Sequence, residues 1–359
     1  LGLGCRQQRL ALSPALGRHG RIAADHQPLT MGHEPAKSPR ASLTLTARCS
    51  LGGADGPASS LGKGDNEKSP RVFHWRSIIR PRTWIDSGFR ENAELSRSSN
   101  TAPYTSRIQK AAAALPETKL LLASWDTAAT TKDNLERFER ENILGKASPT
   151  RAQDMVSRTF RQRYAADPDV LAALIVFAQS RFPNEAFDRI LYFATARADP
   201  LLYHLVTQLL AERIRSYRQE ITVEEVRVWL DRQVSAGKTD GNWSETTTLR
   251  VARSLLAALR DFGLLDGKAK KRITPVYLPT LAFAFIAFLL HREQPSGEGL
   301  LHNPEWRLFF LPFEAVERFF LEAHQERLLD YHAAGRVIRI DFPAKTPQEY
   351  ARVLTQRAA

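Results

Sequence analysis

Apolar positions fall at helical spacing from about Tyr104 onward and keep no sustained period before it. In residues 1–100, short apolar pieces such as Leu10-Ala-Leu12 and Val72-Phe73 are broken by Gly, Pro, Ser and Arg. Such a stretch buries too little apolar surface to offset chain entropy, so it reads as an unfolded extension. Beyond it, Ile108 to Leu122 predicts an Ala- and Leu-rich helix interrupted near Pro116, and Lys132 to Glu141 a charged one. Ser148-Pro149 puts Ser at an N-cap and Pro at the first helical position, opening a helix to about Tyr164. Asp169 to Ser180 is apolar nearly all round, the mark of a buried central helix. Phe187 to Ala198 gives another. Asp199-Pro200 repeats the cap signal and opens Leu201–Tyr217, where Leu201, Leu205 and Leu209, and also Leu202, Val206 and Leu210, recur at i, i+4. Five or six helices on short links predict a compact helical domain over 104–218.

The pattern restarts at Thr222-Val-Glu-Glu225, a capping box in which each end satisfies the other's backbone N–H. Its helix runs to about Val234. The polar loop Ser235–Asn242 follows, and Ser244 caps a helix that reaches Phe262 and stops at Gly263. Next come Leu264-Leu265, an Asp266-Gly267 turn, the basic run Lys268–Arg272 and the strand-like Ile273–Tyr277. Helix, loop, helix and basic hairpin is the order of a winged helix-turn-helix. Residues 279–359 add two more helices and the short strand Arg336–Phe342. The expected fold is mostly α with few short strands: a helical domain over 104–218, then a winged-helix-like domain over 219–359.

The helix from Ser244 carries the strongest candidate chemistry. On a helical wheel Thr246, Arg250, Arg253 and Arg260 share one face, while Leu249, Ala252, Leu256 and Leu259 share another turned to the core. Such a helix can enter the major groove, with Arg reading guanine and Thr touching phosphate or the thymine methyl. Its first N–H groups also suit phosphate. Lys268, Lys270, Lys271 and Arg272 would grip backbone phosphate as the wing. The competing reading is a solvated basic face whose arginines pair with nearby acids. A second basic region, Glu139–Tyr164, reads as helix, Gly145-containing turn, helix, with Lys146, Arg151, Arg158, Arg161 and Arg163. There Asp154 stands four residues before Arg158 and can pair with it, so structural salt bridging competes with nucleic-acid contact. The candidate DNA-binding residues are therefore Thr246, Thr247, Arg250, Arg253, Lys268, Lys270, Lys271 and Arg272, with Lys146, Arg151, Arg158 and Arg161 as a second set.

Charge changes this picture by its distribution. The 359 residues carry a formal +12, which suggests a polyanionic partner. Residues 1–100 hold 15 Lys and Arg against 8 Asp and Glu, leaving 36 against 31 for residues 101–359. The extension is thus +7 and the body only +5, so nucleic-acid binding by the body must rest on local patches. Both cysteines, Cys5 and Cys49, lie in the extension, leaving the body no disulfide or thiolate metal site. That usage fits a cytoplasmic protein. The first methionine is Met31, so residues 1–100 read as a mis-called start or as a genuine basic arm, in which Val72–Trp84 is the one piece suited to docking. The apolar run Val276–Leu290 is 15 residues long and contains Pro279. A membrane span needs ~20 residues, so this run reads as a buried helix and no span is expected.

No Walker loop, GxSxG, HExxH or dinucleotide fingerprint occurs, so no enzymatic activity, cofactor or metal is expected. The histidines from His204 to His332 are scattered, and His204 reads as a packed helix residue rather than a base. Five stretches nevertheless match a known family: Tyr104–Lys110, Asn142–Ser148, Asn242–Thr248 running into Leu255–Leu265, Trp306–Phe309, and Gly335–Asp341. They span nearly all of 104–342 in order. In them the chain resembles BrxA, a small component of the bacteriophage-exclusion (BREX) defence systems of bacteria. The resemblance implies a helical protein similar to the antitermination factor NusB, DNA binding, and work beside a DNA methyltransferase and an alkaline-phosphatase-like protein. Family members have also been labelled inner-membrane proteins. The extension before Tyr104 has no counterpart in the family, and the resemblance fixes no binding residues. Three readings stay open: a DNA-binding accessory protein on double-stranded DNA, a protein–protein adaptor with merely solvated basic faces, and a NusB-like RNA binder.

Overall fold

The computed structural model describes residues 103–268, 270–335 and 337–358. The expectations for residues 1–100, including Cys5 and Cys49, lie outside the described residues.

The fold is mostly helical with few short strands. Helix α1, Ile108–Ala111, and α2, Leu115–Ala123, replace the one interrupted helix expected there. The break falls at Ala112 and Ala114, both at positive φ, rather than at Pro116. Pro116 sits in the first turn of α2, where a missing N–H costs nothing. Helix α3 is Thr131–Arg140, closed by a Thr130–Asp133 capping box. Helix α4 covers 149–164 with Ser148 as its cap, and its middle, Asp154–Phe160, is π-helical. Helix α5 is Pro168–Ala178 and α6 is Asn184–Ala198. Helix α7 covers 200–215 and again widens to a π-helix over Leu205–Leu210.

Strand β1, Glu220–Ile221, precedes α8, Val223–Ser235, and the Thr222–Glu225 capping box is formed. Helix α9 is Glu245–Asp261. Strands β2, Leu265–Asp266, and β3, Lys271–Ile273, complete a three-stranded antiparallel sheet of order β1-β3-β2. The strand expected at Ile273–Tyr277 is displaced. Pairing ends at Ile273, because Pro275 has no N–H to continue the ladder.

The remainder holds more helices than the two expected. Helix α10, Thr280–Glu293, is the apolar run, with every residue from Ala282 to Leu290 buried. No helix among the described residues is long and apolar enough to cross a membrane. Helix α11, Gly297–Leu301, a 3-10 turn over Pro304–Phe309, and α12, Phe313–Gln325, follow. Strands β4, Asp330–Ala334, and β5, Val337–Asp341, form a hairpin, and α13, Pro347–Ala358, ends the described chain. Helix α13 packs on α5 and α10. One cluster of buried side chains runs from Tyr104 to Leu354. Within it α5 buries Leu171, Leu174, Ile175 and Phe177, the central position its apolar surround predicted.

Candidate nucleic-acid interface

Helix α9 starts where the Ser244 side chain accepts the Thr247 N–H, at 3.3 Å. The Thr247 hydroxyl lies 3.0 Å from that of Ser244, so it belongs to the cap. The helix then divides as its wheel predicts. Ala252, Leu256 and Leu259 are buried, Leu249 is half-buried, and Thr246, Arg250, Arg253 and Arg260 are exposed. Arg260 leans on Asp261, 2.8 Å away. Arg250 and Arg253 pair with no carboxylate among the described residues. They stand almost one turn apart, with both charges offered to solvent.

Gly263, at φ +71°, ends α9 in the left-handed conformation, its N–H bonded to the Arg260 carbonyl at 2.8 Å. The hairpin that follows turns at Gly267, φ +95°, where a Cβ would stand 2.2 Å from the Lys270 carbonyl oxygen. Lys268 and Lys270 are exposed on that hairpin. Lys271 is not: it is buried opposite Ile221, and its ammonium donates to the Lys268 carbonyl at 2.9 Å. Arg272 is exposed, stands opposite both Glu220 and Asp266, and donates to Gln219 at 3.3 Å. The eight residues of the first candidate set thus separate by role. Thr246, Arg250, Arg253, Lys268 and Lys270 face solvent freely, Arg272 has acidic neighbours, Thr247 is half-buried in the cap, and Lys271 is inward.

The second set is placed on and before α4. Lys146 pairs with Glu117 at 2.8 Å. Arg158 pairs with Asp154 at 2.7 Å, and Lys110 of α1 approaches the same carboxylate at 3.1 Å. The two cations hold the Asp154 carboxyl below its usual range, the Lys110 hydrogen bond first. Arg151 and Arg161 are exposed, with no ion pair among the described residues. Helix α1 packs against both α4 and α9 and so joins the two regions.

The turn before α9 is held by contacts that sequence reasoning did not connect, although it read His204 as a packed helix residue. Tyr104 donates its backbone N–H to the Lys238 carbonyl at 2.8 Å and accepts from the Asp240 N–H at 2.9 Å. Its hydroxyl lies 2.9 Å from Nδ1 of His204 on α7. Burial, with the charge of Lys238 second, lowers the His204 pKa and keeps the ring neutral. No local signal announces this clasp, because its partners are a hundred residues apart. Among the described residues, no group of His, Cys, Asp and Glu gathers as metal ligands would. A family model described as BrxA matches residues 102–289, just over half the chain. No curated protein matches it.

Proposed function

The chain belongs to the BrxA family, and on that premise we propose that it holds duplex DNA through α9 and the hairpin behind it, as a non-enzymatic accessory protein. Membership implies a component of the BREX phage-defence systems and association with their other members. The observation that carries the DNA reading is the pair Arg250 and Arg253, exposed and without a carboxylate partner among the described residues, beside Lys268 and Lys270. The order β1, α8, α9, β2, β3, with β3 between the other two strands, supports treating 219–273 as a winged helix-turn-helix. In that reading α9 is the recognition helix and Lys268 and Lys270 grip phosphate from the wing. Residues 104–218 are taken as the NusB-like part on the resemblance alone. Arg151 and Arg161, joined to α9 through α1, extend the basic surface.

The test compares the full chain with its Arg250→Ala/Arg253→Ala variant across a salt series, on duplex DNA and on RNA. Two lost phosphate contacts should flatten the log–log salt slope by about 1.8, at about 0.9 per phosphate. An unchanged slope and affinity would remove α9 from the interface. No DNA binding at all would favour the adaptor reading, and stronger binding of RNA the NusB-like one.

A further inference from the structure

Behind the hairpin lies a surface that the DNA reading leaves unused. Residues Thr274–Pro279 alternate as a strand does, with Val276 and Leu278 buried and Pro275 and Tyr277 exposed, Tyr277 at 60%. No strand pairs with them. Among the described residues the backbone N–H groups of Val276, Tyr277 and Leu278 donate to nothing. Alongside lies a groove of about 290 Å³ whose lining includes Tyr277, Leu281, Pro183, Ala186, Glu185 and Glu326.

The groove carries two carboxylates: Glu185 has the charge of Arg189 near it, while Glu326 forms no ion pair among the described residues. Glu185, Glu322 and Glu326 form no ion pair among the described residues. Arg189 makes its hydrogen bonds elsewhere, donating to the carbonyls of Tyr277 at 2.8 Å and of Phe262. Arg318 offsets Glu322 only in part, and Thr280 gives Glu326 a hydroxyl rather than a charge. Burial, joined for Glu322 by the charge of Glu326, holds both carboxyls above the ordinary range. A groove of mixed polar and apolar lining, with carboxylates that form no ion pair and an unpaired extended segment beside it, suits a basic, aromatic, extended peptide. The chain contains one. Val72–Trp84 reads VFHWRSIIRPRTW, with three arginines, no carboxylate and apolar residues at Phe73, Trp75, Ile78, Ile79 and Trp84.

We propose that the groove at Tyr277 is the docking site for this chain's own segment Val72–Trp84, bound extended along Thr274–Pro279 with its arginines at Glu185 and Glu326. Chain length agrees with this pairing. The linker from Ile85 to Pro103 has 19 residues and joins the body at Tyr104, fastened to the turn before α9. The groove lies at the other end of α9, where Phe262 and Tyr277 share Arg189. The 17 residues of α9 span about 26 Å. A coil of 19 residues has a root-mean-square length of roughly 24 Å, close to that span. Matching lengths maximise the effective concentration, on the order of 1 mM. A contact of only ~100 µM intrinsic affinity would then cover the groove about ten to one.

The experiment is amide hydrogen exchange of the full chain, read at Val276, Tyr277 and Leu278. The comparison proteins are Trp75→Ser/Trp84→Ser, which alters only the segment, and Glu185→Lys/Glu326→Lys, which alters only the groove. Exchange about tenfold faster in both variants, with the rest of the body unchanged, is the expected result. A free Val72–Trp84 peptide added to the tryptophan variant should slow it again. Equal exchange in the wild type and the tryptophan variant overturns the proposal. So does protection that survives in that variant and grows with protein concentration, since the occupant would then be a second copy. None of these outcomes depends on whether α9 binds DNA.

Discussion

Helix α9 and helix α4 read alike along the chain, each a basic helix after a polar turn, yet they present their charge differently. On α9, Arg250 and Arg253 have no carboxylate partner among the described residues. Around α4, Lys146 is held by Glu117, and Arg158 shares Asp154 with Lys110. Counting cations ranks the two regions as equals. Counting cations without a resident partner separates them. A phosphate must outcompete the carboxylate already present, so a paired arginine offers much less to DNA than a free one.

The sharpest way to break this comparison is charge reversal on each side. Arg250→Glu/Arg253→Glu should weaken duplex DNA binding by at least ~100-fold, because like charges facing one another cost several kcal/mol. Lys146→Glu/Arg158→Glu should change it less than ~threefold. Its effect should appear instead as lost stability, about 1 kcal/mol for each of these partly exposed pairs. Filter binding and thermal melts of the two double variants separate the outcomes. Equal losses of affinity would mean that the interface runs across α1 onto α4.

Shape alone provides the next test. Gly267→Ala leaves every charge in place, but φ +95° and a Cβ 2.2 Å from the Lys270 carbonyl force the hairpin to move. The strain should cost about 1–3 kcal/mol and lower the melting temperature by several degrees. If the hairpin is a wing, DNA affinity should fall with it by roughly fivefold, about 1 kcal/mol. A lower melting temperature with unchanged affinity would detach the hairpin from the interface.

Within the hairpin the comparison repeats on a smaller scale. Lys268 and Lys270 are exposed, while Lys271 is buried with its ammonium on the Lys268 carbonyl. Lys268→Gln and Lys270→Gln should each flatten the salt slope by about 0.9. Lys271→Gln should leave the slope unchanged and cost about 1 kcal/mol of stability through the lost hydrogen bond. A flatter slope for Lys271→Gln would show that its side chain swings out to meet DNA.

What was legible in the sequence was what neighbours in the chain decide. Ser148, Thr222 and Ser244 cap their helices because an N-cap needs only residues two or three positions on. The two faces of α9 followed from its period, and the Arg158–Asp154 pair from its spacing of four. Features that need a distant partner were not legible. Strand β1 has two residues, and its partner β3 lies fifty residues later. Strand β4 shows no apolar alternation, burying only Tyr331, so only β5 of the last hairpin was foreseen. Glu117 lies 29 residues from Lys146, and the inward turn of Lys271 depends on where β1 stands. The candidate site was therefore legible as a list of cations, but not as the division between free and engaged ones.

The smallest expected effect concerns the clasp that holds the turn before α9, for which α4 has no counterpart. His204 is neutral against the Tyr104 hydroxyl, its pKa lowered first by burial and then by Lys238. The unfolded chain binds that proton with a pKa of about 6.5. Between the lowered folded value and ~6.5 the unfolded state carries more protons, so stability rises with pH through that window. It is complete above ~6.5 and is lost as pH falls through the folded value. His291, also lowered by burial, adds a dependence of the same sign. Acidification from about pH 7.5 to 5.5 should therefore lower the melting temperature of the wild type more than that of His204→Gln, which keeps only the His291 share. DNA affinity should weaken over the same interval in the wild type, because a loosened turn at Lys238–Asp240 no longer fixes the start of α9. Parallel melting curves for the two proteins would show that His204 takes up its proton as readily in the fold as in the unfolded chain, and that Tyr104 is held by its backbone bonds alone.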